Sequence, residues 1–305
     1  MSTKITFLLL PHTNLLDLGA ASQVFYEAQD QGLDIEIHFC SDETNISAAN
    51  GLPLGKIESY QKQKLTKEDY LIILSADYKY IFSNKFKPSK ALLDWLAHLK
   101  GQGITLCAIC TGAFLLGKAG LLDGIKCTTH WKRTAELQSY FPKAKVQQNI
   151  IFIEDNGIYT SAGANSAIDI ALHILSKLKD DFFTHKIARE LVVYHRRTGA
   201  DSQQSVYLNN RNHIHGGIHK VQDYLQENLH KKNLLLDLAD IANMSHRNFC
   251  RIFKKETSLT VIEYVTILRK ERIKTLLKNP DLAKTEIAHQ VGLQSKKQVS
   301  RILKK

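Results

Sequence analysis

The apolar positions of the chain fall into two regimes. Through about residue 197, short continuous apolar runs alternate with stretches of helical period. ITFLLL from Ile5, DIEIHFC from Asp34, YLIIL from Tyr70 and ITLCAIC from Ile104 are strand-like. LDLGAASQVFYEAQDQG, the stretch from about Ser89 to Lys100, and GAFLLGKAGLL are helix-like. Apolar runs without polar alternation belong in a sheet covered on both faces, and their alternation with helices predicts βαβ units and a parallel sheet. VQQNIIFIEDNGIYTSAG alternates around Asp155-Asn156-Gly157, a hairpin signal. Ala164 to Lys179 predicts an amphipathic helix. The expected first domain spans 1–197. It is α/β and flavodoxin-like, with a mainly parallel sheet and helices on both faces.

The pattern lapses between Arg196 and His215. A linker is expected at 198–212, with Val206 to Leu208 packing back on the first domain. From Ile218 onward only helical periodicity remains, so an all-α domain is expected over 213–305.

Within it, two helix-turn-helix units can be traced. In the first, about 234–255, Leu238, Ile241 and Ala242 form an apolar stripe, and Asn243-Met244 make the turn. Ser245 is expected to cap the second helix with its hydroxyl. Phe249, Ile252 and Phe253 face inward; His246, Arg247, Cys250 and Arg251 face outward. In the second, about 281–303, Ile287, Ala288 and Val291 form the stripe, Gly292 permits the turn and Ser295 caps. Val299, Ile302 and Leu303 face inward; Lys296, Lys297, Ser300 and Arg301 face outward. A recognition helix enters the major groove with such outward residues over base edges and phosphates. A helix from about Val261 to Leu277 joins the units.

Charge strengthens this reading. The chain carries 41 Lys+Arg against 30 Asp+Glu, a net +11. From His213 to Lys305 the counts are 18 and 9, against 23 and 21 in the rest. A basic terminal domain on a near-neutral body is the footprint of nucleic-acid binding.

Other classes are set aside. No run reaches the roughly 18 apolar residues of a membrane span, and the N-terminus lacks a signal-peptide pattern. A cytoplasmic location is expected. Five cysteines, an odd number, argue against a disulfide framework. Cys107 and Cys110 lie three strand steps apart, about 10 Å, beyond disulfide reach. His213, His215 and His219 lack a fourth metal ligand, so no metal is expected, and no cofactor motif is found.

The C-terminal segment resembles the AraC/XylS family of transcription regulators. The matching residues are IANMS-x-R-x-x-x-R-x-FKKET, the linker helix IEYVTILRKERIKTLL, and IAHQVGL-x-S-x-x-x-x-SR. Two departures stand out. Gly292-Leu293 occupies a turn that usually reads glycine-phenylalanine, and the sequence ends at Lys305 where the family continues into one more short helix. The resemblance implies a double-stranded DNA operator, RNA polymerase as a partner and a homodimer.

In the first domain, ITLCAIC ends a strand, Thr111-Gly112 turns, and a helix begins. This nucleophile-elbow pattern is expected to set the Cys110 sulfur at a helix N-terminus, where the macrodipole favours a thiolate and backbone amides suit a carboxylate. The stretch resembles the PfpI-like branch of the class I glutamine amidotransferase-like superfamily. So do PHTNLLDLGAASQVF and TSAGANSAIDIALHIL. Its fusion to an AraC-type tail resembles FtrA- or GlxA-like regulators. Protease relatives activate the elbow cysteine with an adjacent histidine, but here Thr111 follows, and His130 is the nearest candidate. In isocyanide hydratase relatives an acidic residue, the elbow cysteine and the following threonine form the site; Asp17, Cys110 and Thr111 match. The expectation is a transcription activator, not an enzyme. A small metabolite, such as an amino acid or amine, would bind at Asp17, Cys110, Thr111 and His130. The alternative is a cysteine hydrolase or hydratase with a basic DNA-binding tail.

Overall fold

The computed structural model describes residues 2–193, 197–203, 210–211, 213–231, 235–277, 279 and 281–304. The chain divides into two compact units, Met1–Gln203 and Gln204–Lys305.

In chain order the first unit contains β1 (Thr3–Leu9), α1 (Leu15–Asp30), β2 (Ile35–Ser41), β3 (Asn45–Ser47), β4 (Pro53–Lys56), β5 (Glu58–Ser59), β6 (Tyr70–Ile73), α2 (Tyr78–Ile81) and α3 (Lys90–Gly101). There follow β7 (Thr105–Ile109), α4 (Ala113–Lys118), β8 (Lys126–Cys127), α5 (Thr134–Tyr140), β9 (Lys145–Val146), β10 (Phe152–Asp155), β11 (Ile158–Ser161), α6 (Ser166–Leu178) and α7 (Asp181–Glu190). The main sheet has seven strands in the order β10-β11-β7-β6-β1-β2-β5. Every pair is parallel except the β10–β11 hairpin. That hairpin turns at Asn156 and Gly157, both at positive φ, as the Asp-Asn-Gly signal requires.

The period-two geometry of a strand divides each apolar run between two cores. Ile5, Phe7 and Leu9 face one side with Val24 and Phe25 of α1 and Ile170 and Ile174 of α6. Leu8 and Leu10 face the other with Leu92 and Leu96 of α3, Leu115 of α4 and Leu137 of α5. With helices on both faces, β1, β6 and β7 are covered on both sides, while Glu36 and Phe39 of the outer strand β2 stay exposed; the expected α/β architecture is the one observed.

The first unit runs past the expected boundary at 197. The Arg197 guanidinium donates twice to one oxygen of the buried Asp169 of α6, and its main-chain N–H donates to the other. The Ile151 N–H donates to the carbonyls of Gly199 and Asp201 at 3.0 and 3.1 Å. A stretch without hydrophobic period is thus fixed by polar bonds that periodicity does not register. Val206 to Leu208 lie outside the described residues.

The described residues of the second unit form α8 (Gly216–Glu227), α9 (Leu235–Ile241), α10 (His246–Thr257), α11 (Val261–Leu276), α12 (Lys284–Gln290) and α13 (Lys296–Lys304). It has two small cores. One gathers Ile218, Leu238, Phe249, Phe253, Tyr264 and Leu268. The other gathers Ile273, Ile287, Val291, Val299 and Ile302. Helix α11 contributes to both, Leu268 to the first and Ile273 to the second, so it is the shared spine of the two units. It starts with a complete capping box, Thr260 and Glu263 satisfying each other's main-chain N–H.

Candidate functional sites

The chain runs outward from β1 to β2 and then returns to β6 on the other side of β1. Such a switch leaves a crevice at the carboxyl ends of the strands, where open α/β sheets take ligands. The loops after β1, β6 and β7 deliver their residues there.

Cys110 follows β7 at φ +53°, a left-handed conformation unusual for a residue with a Cβ. The strained elbow expected from the sequence is therefore present, and the sulfur is half-buried. The buried carboxylate of Asp17, in the first turn of α1, accepts hydrogen bonds from the Ser75 hydroxyl and the Ala164 N–H. Gly163, at φ +80°, closes the gap: a Cβ placed there would lie 2.2 Å from Cys110 Cβ, 2.8 Å from its Sγ and 3.3 Å from an Asp17 oxygen. Asp17 and Cys110 are thus neighbours across Gly163. The Thr111 hydroxyl is spent on the backbone, donating to the Ala76 carbonyl at 2.7 Å and accepting from the Ala76 N–H at 3.0 Å. It clamps the elbow to the loop after β6.

His130 enters through its main chain. The main-chain N–H groups of His130 and Thr111 favour the charged form of the Cys110 sulfur. The His130 ring caps a short 3-10 turn, Nδ1 accepting from the Lys132 N–H at 3.3 Å, and lies 5.7 Å from the Trp131 ring. Burial, Lys132 and Arg133 hold its pKa below the usual value.

The expected thiolate is not supported. Helix α4 has only six residues, and Cys110 lies in the 3-10 turn that precedes it. Burial first, then the charge of Asp17, push the Cys110 thiol well above its ordinary pKa. The N–H groups and the more distant Arg133 oppose this without reversing it. Desolvation also raises Asp17. The thiol and the carboxyl group of this half-enclosed site are both shifted toward their neutral forms.

Sequence reasoning missed Ser75, Gly163, Ala164 and Thr129. Thr129 Oγ1 donates to the Cys110 carbonyl at 2.7 Å. Gly163 and Ala164 lie within the TSAGANSAIDIALHIL segment, which assigned them no role, Ser75 and Thr129 stand outside the motifs, and only the fold assembles the four. Cys40, Cys107 and Cys127 are buried core thiols, and all five cysteines are free. His213 and His219 stack with centroids 4.3 Å apart.

In the second unit the outward positions of α10 are as the helical period dictates. His246, Arg247 and Arg251 are exposed; Cys250 is half-buried with its sulfur 3.7 Å from His246 Nε2. Arg251 is held by the Asn248 side chain at 2.9 Å. Ser245 differs from expectation. It has N-cap backbone angles, but its side chain makes no capping bond. In the second unit Ser295 does cap, accepting from the Gln298 N–H at 3.4 Å. Lys296, Lys297, Ser300 and Arg301 are exposed and line one basic groove with Lys284.

Comparison with known proteins agrees with this geometry. Residues 3–177 match the DJ-1/PfpI family, and the chain belongs to it. Residues 238–305 match a helix-turn-helix domain. The chain is 25% identical over 303 residues to the HTH-type transcriptional regulator CdhR of Pseudomonas aeruginosa, covering 99% of this chain and 88% of that one. It is 30% identical over 198 residues to the HTH-type transcriptional regulator GbdR of the same species, covering 64% of this chain and 53%, about half, of that one. A crystal structure of an AraC family transcriptional regulator from Pseudomonas putida shares the fold at TM-score 0.53 and 22% identity, over 62% of this chain and 99% of that one. A DJ-1/PfpI domain followed by a helix-turn-helix domain makes this protein a DNA-binding transcription regulator.

Proposed function

We propose that a small metabolite bound at the Asp17–Cys110 pocket controls the affinity of the second unit for a double-stranded operator. The reading rests above all on the outward face of α13. Four polar or basic side chains are exposed together on a helix anchored from behind by Val299 and Ile302. Arg251 and Arg301 contact base edges, and Lys296 and Lys297 contact phosphates. His246, Arg247, Cys250 and Ser300 complete the two reading faces. Two helices sharing the spine α11 suit successive turns of one groove. The protein acts as a homodimer in the cytoplasm, and its activator role requires RNA polymerase.

The effector is an amino acid or amine metabolite. It meets Asp17, the Cys110 sulfur, Thr111 and His130, and it prefers one arrangement of the regulator. The raised thiol pKa and the engaged Thr111 hydroxyl favour a binding pocket over a nucleophile. A second reading, a cysteine hydrolase or hydratase, is favoured by one observation, the approach of Asp17 to Cys110 across Gly163.

Selection of bound sequences from a random duplex pool, repeated across salt concentration, tests the regulator reading. An enriched asymmetric site about two helical turns long is expected. Weak, steeply salt-dependent binding without enrichment reflects phosphate attraction alone and rejects sequence-specific control. A Cys110→Ser variant separates the two readings of the pocket. Retained metabolite-dependent DNA binding supports the sensor, and loss of turnover on a small amide or isocyanide supports the enzyme.

A further inference from the structure

The loop that closes over Cys110 also holds the end of the first unit. On one side, Thr129 Oγ1 donates to the Cys110 carbonyl at 2.7 Å. On the other, the side-chain amide nitrogen of Gln203 lies 2.9 Å from the Thr129 carbonyl oxygen, 2.8 Å from that of Ile150 and 3.3 Å from Thr128 Oγ1. An NH2 group has two hydrogens, so three acceptors leave neither one free. Gln203 is the last residue of the first compact unit, and Gln204 begins the second.

A second route runs in parallel. Ile151 donates to the Gly199 and Asp201 carbonyls, and its own carbonyl accepts from the Ala162 N–H at 2.8 Å. The next residues, Gly163 and Ala164, are the ones that meet Cys110 and Asp17. Both walls of the pocket therefore rest on residues that carry segment 199–203. Arg197, paired with Asp169, anchors its upstream end.

We infer that Gln203 is a positioning residue that ties occupancy of the Asp17–Cys110 pocket to the point where the chain leaves for the DNA-binding unit. The inference rests on the effector-pocket reading and names how that pocket would act. There is no slack between the walls: even one methyl group on Gly163 would overlap Cys110. A ligand group entering there displaces the 128–130 loop, which is bonded directly to Gln203, or the 162–164 turn, which is bonded to 199–201 through Ile151. The Gln203 Oε1 atom is buried with no hydrogen-bond partner among the described residues. The observed arrangement thus leaves one acceptor unmet, and a rearranged one that satisfies it gains in return. Closely packed polar elements of this kind hold discrete arrangements and do not deform continuously.

The test uses the full chain and two readouts. The first is hydrogen exchange at the Ile151 and Phe152 amides, which bond to 199–201. The second is affinity for an operator obtained by selection. Gln203→Glu keeps the shape but sets a carboxylate against two carbonyls; Gln203→Leu removes the donors without adding charge. Either is expected to speed exchange at these amides about tenfold or more while far strands of the sheet keep their protection. Asp17→Asn perturbs the pocket wall without adding atoms and is expected to speed the same amides severalfold. In a double variant the two effects are not independent, and exchange is no faster than in the Gln203 variant alone. Wild-type exchange at 151–152 in Asp17→Asn, or effects that multiply in the double variant, would overturn the inference. If exchange responds as expected but operator affinity does not change with Asp17→Asn, the link from pocket to segment stands and the effector-control reading fails.

Discussion

Gly163 lies against Cys110 so closely that a Cβ on the glycine would overlap the cysteine's own Cβ at 2.2 Å. The two residues come from the ends of different strands, β11 and β7, which pair in parallel. Their approach brings the turn bearing Ala164 onto Asp17. Gly163→Ala is expected to destabilise the first unit by about 1–3 kcal/mol, from positive φ and overpacking together. Urea unfolding of the full chain, followed by Trp95 and Trp131 fluorescence, measures it. An unchanged midpoint would mean that the wall yields freely.

Cys110 should be a sluggish nucleophile. Its thiol is held above the ordinary range by burial and by Asp17. Alkylation by iodoacetamide near neutral pH is expected to be at least about tenfold slower than for a free thiol, and to rise with pH beyond the ordinary cysteine pKa of about 8.5. Asp17→Asn removes the opposing charge, so it should lower the thiol pKa and speed the reaction. Mass spectrometry of the Cys110 peptide distinguishes it from Cys250, the other half-exposed thiol. Fast reaction at neutral pH would restore the catalytic reading.

Asp17 gives a pH dependence of stability with a definite sign. Its folded pKa is raised, first by desolvation, while the unfolded chain keeps the ordinary 3.8. Between the two values the folded state binds the extra proton, so stability falls as pH rises through that window. Replacing Asp17 with Asn removes this contribution. The stability of wild type relative to Asp17→Asn is expected to decline as pH is raised upward from about 4. Paired urea titrations at several pH values read the difference, and a gap that widens in favour of wild type would contradict the assignment.

On the DNA side, Arg251→Ala and Arg301→Ala are each expected to weaken operator binding by about 1–3 kcal/mol and to relax specificity in different halves of the site. Lys296→Ala or Lys297→Ala should weaken all sequences alike and lower the salt slope by about one. Fluorescence anisotropy across salt concentration separates the two behaviours. If both arginine variants bind like wild type, the recognition helices are misassigned.

Among the described glycines of the second unit, Gly292 lies closest to other backbone. It sits at φ +70°, and a Cβ would lie 2.6 and 2.9 Å from the Leu229 and His230 carbonyls. Gly292→Ala is expected to cost about 2 kcal/mol or more and to abolish contact with one half of the operator while sparing the other. Footprinting shows whether protection is lost on one side only.

Local patterns along the chain were enough to read the layered α/β domain, the hairpin at Asn156-Gly157, the α11 spine and the outward basic faces. These follow from local period and turn chemistry, which neighbours in the chain already encode. The sequence also marked the elbow, because a strand ending in Cys-Thr-Gly before a helix is a local pattern. Tertiary structure decided the rest. The Cys110 thiol is raised because burial and the carboxylate of Asp17 come from outside its own segment. Thr111 became a clamp because the Ala76 backbone arrives beside it. Residues 197–203 joined the first unit through Asp169, Ile151 and Ile150, polar bonds between distant positions that leave no trace in hydrophobic period. Charge desolvation and long-range hydrogen bonds depend on which segments meet, and only the folded chain brings those segments together.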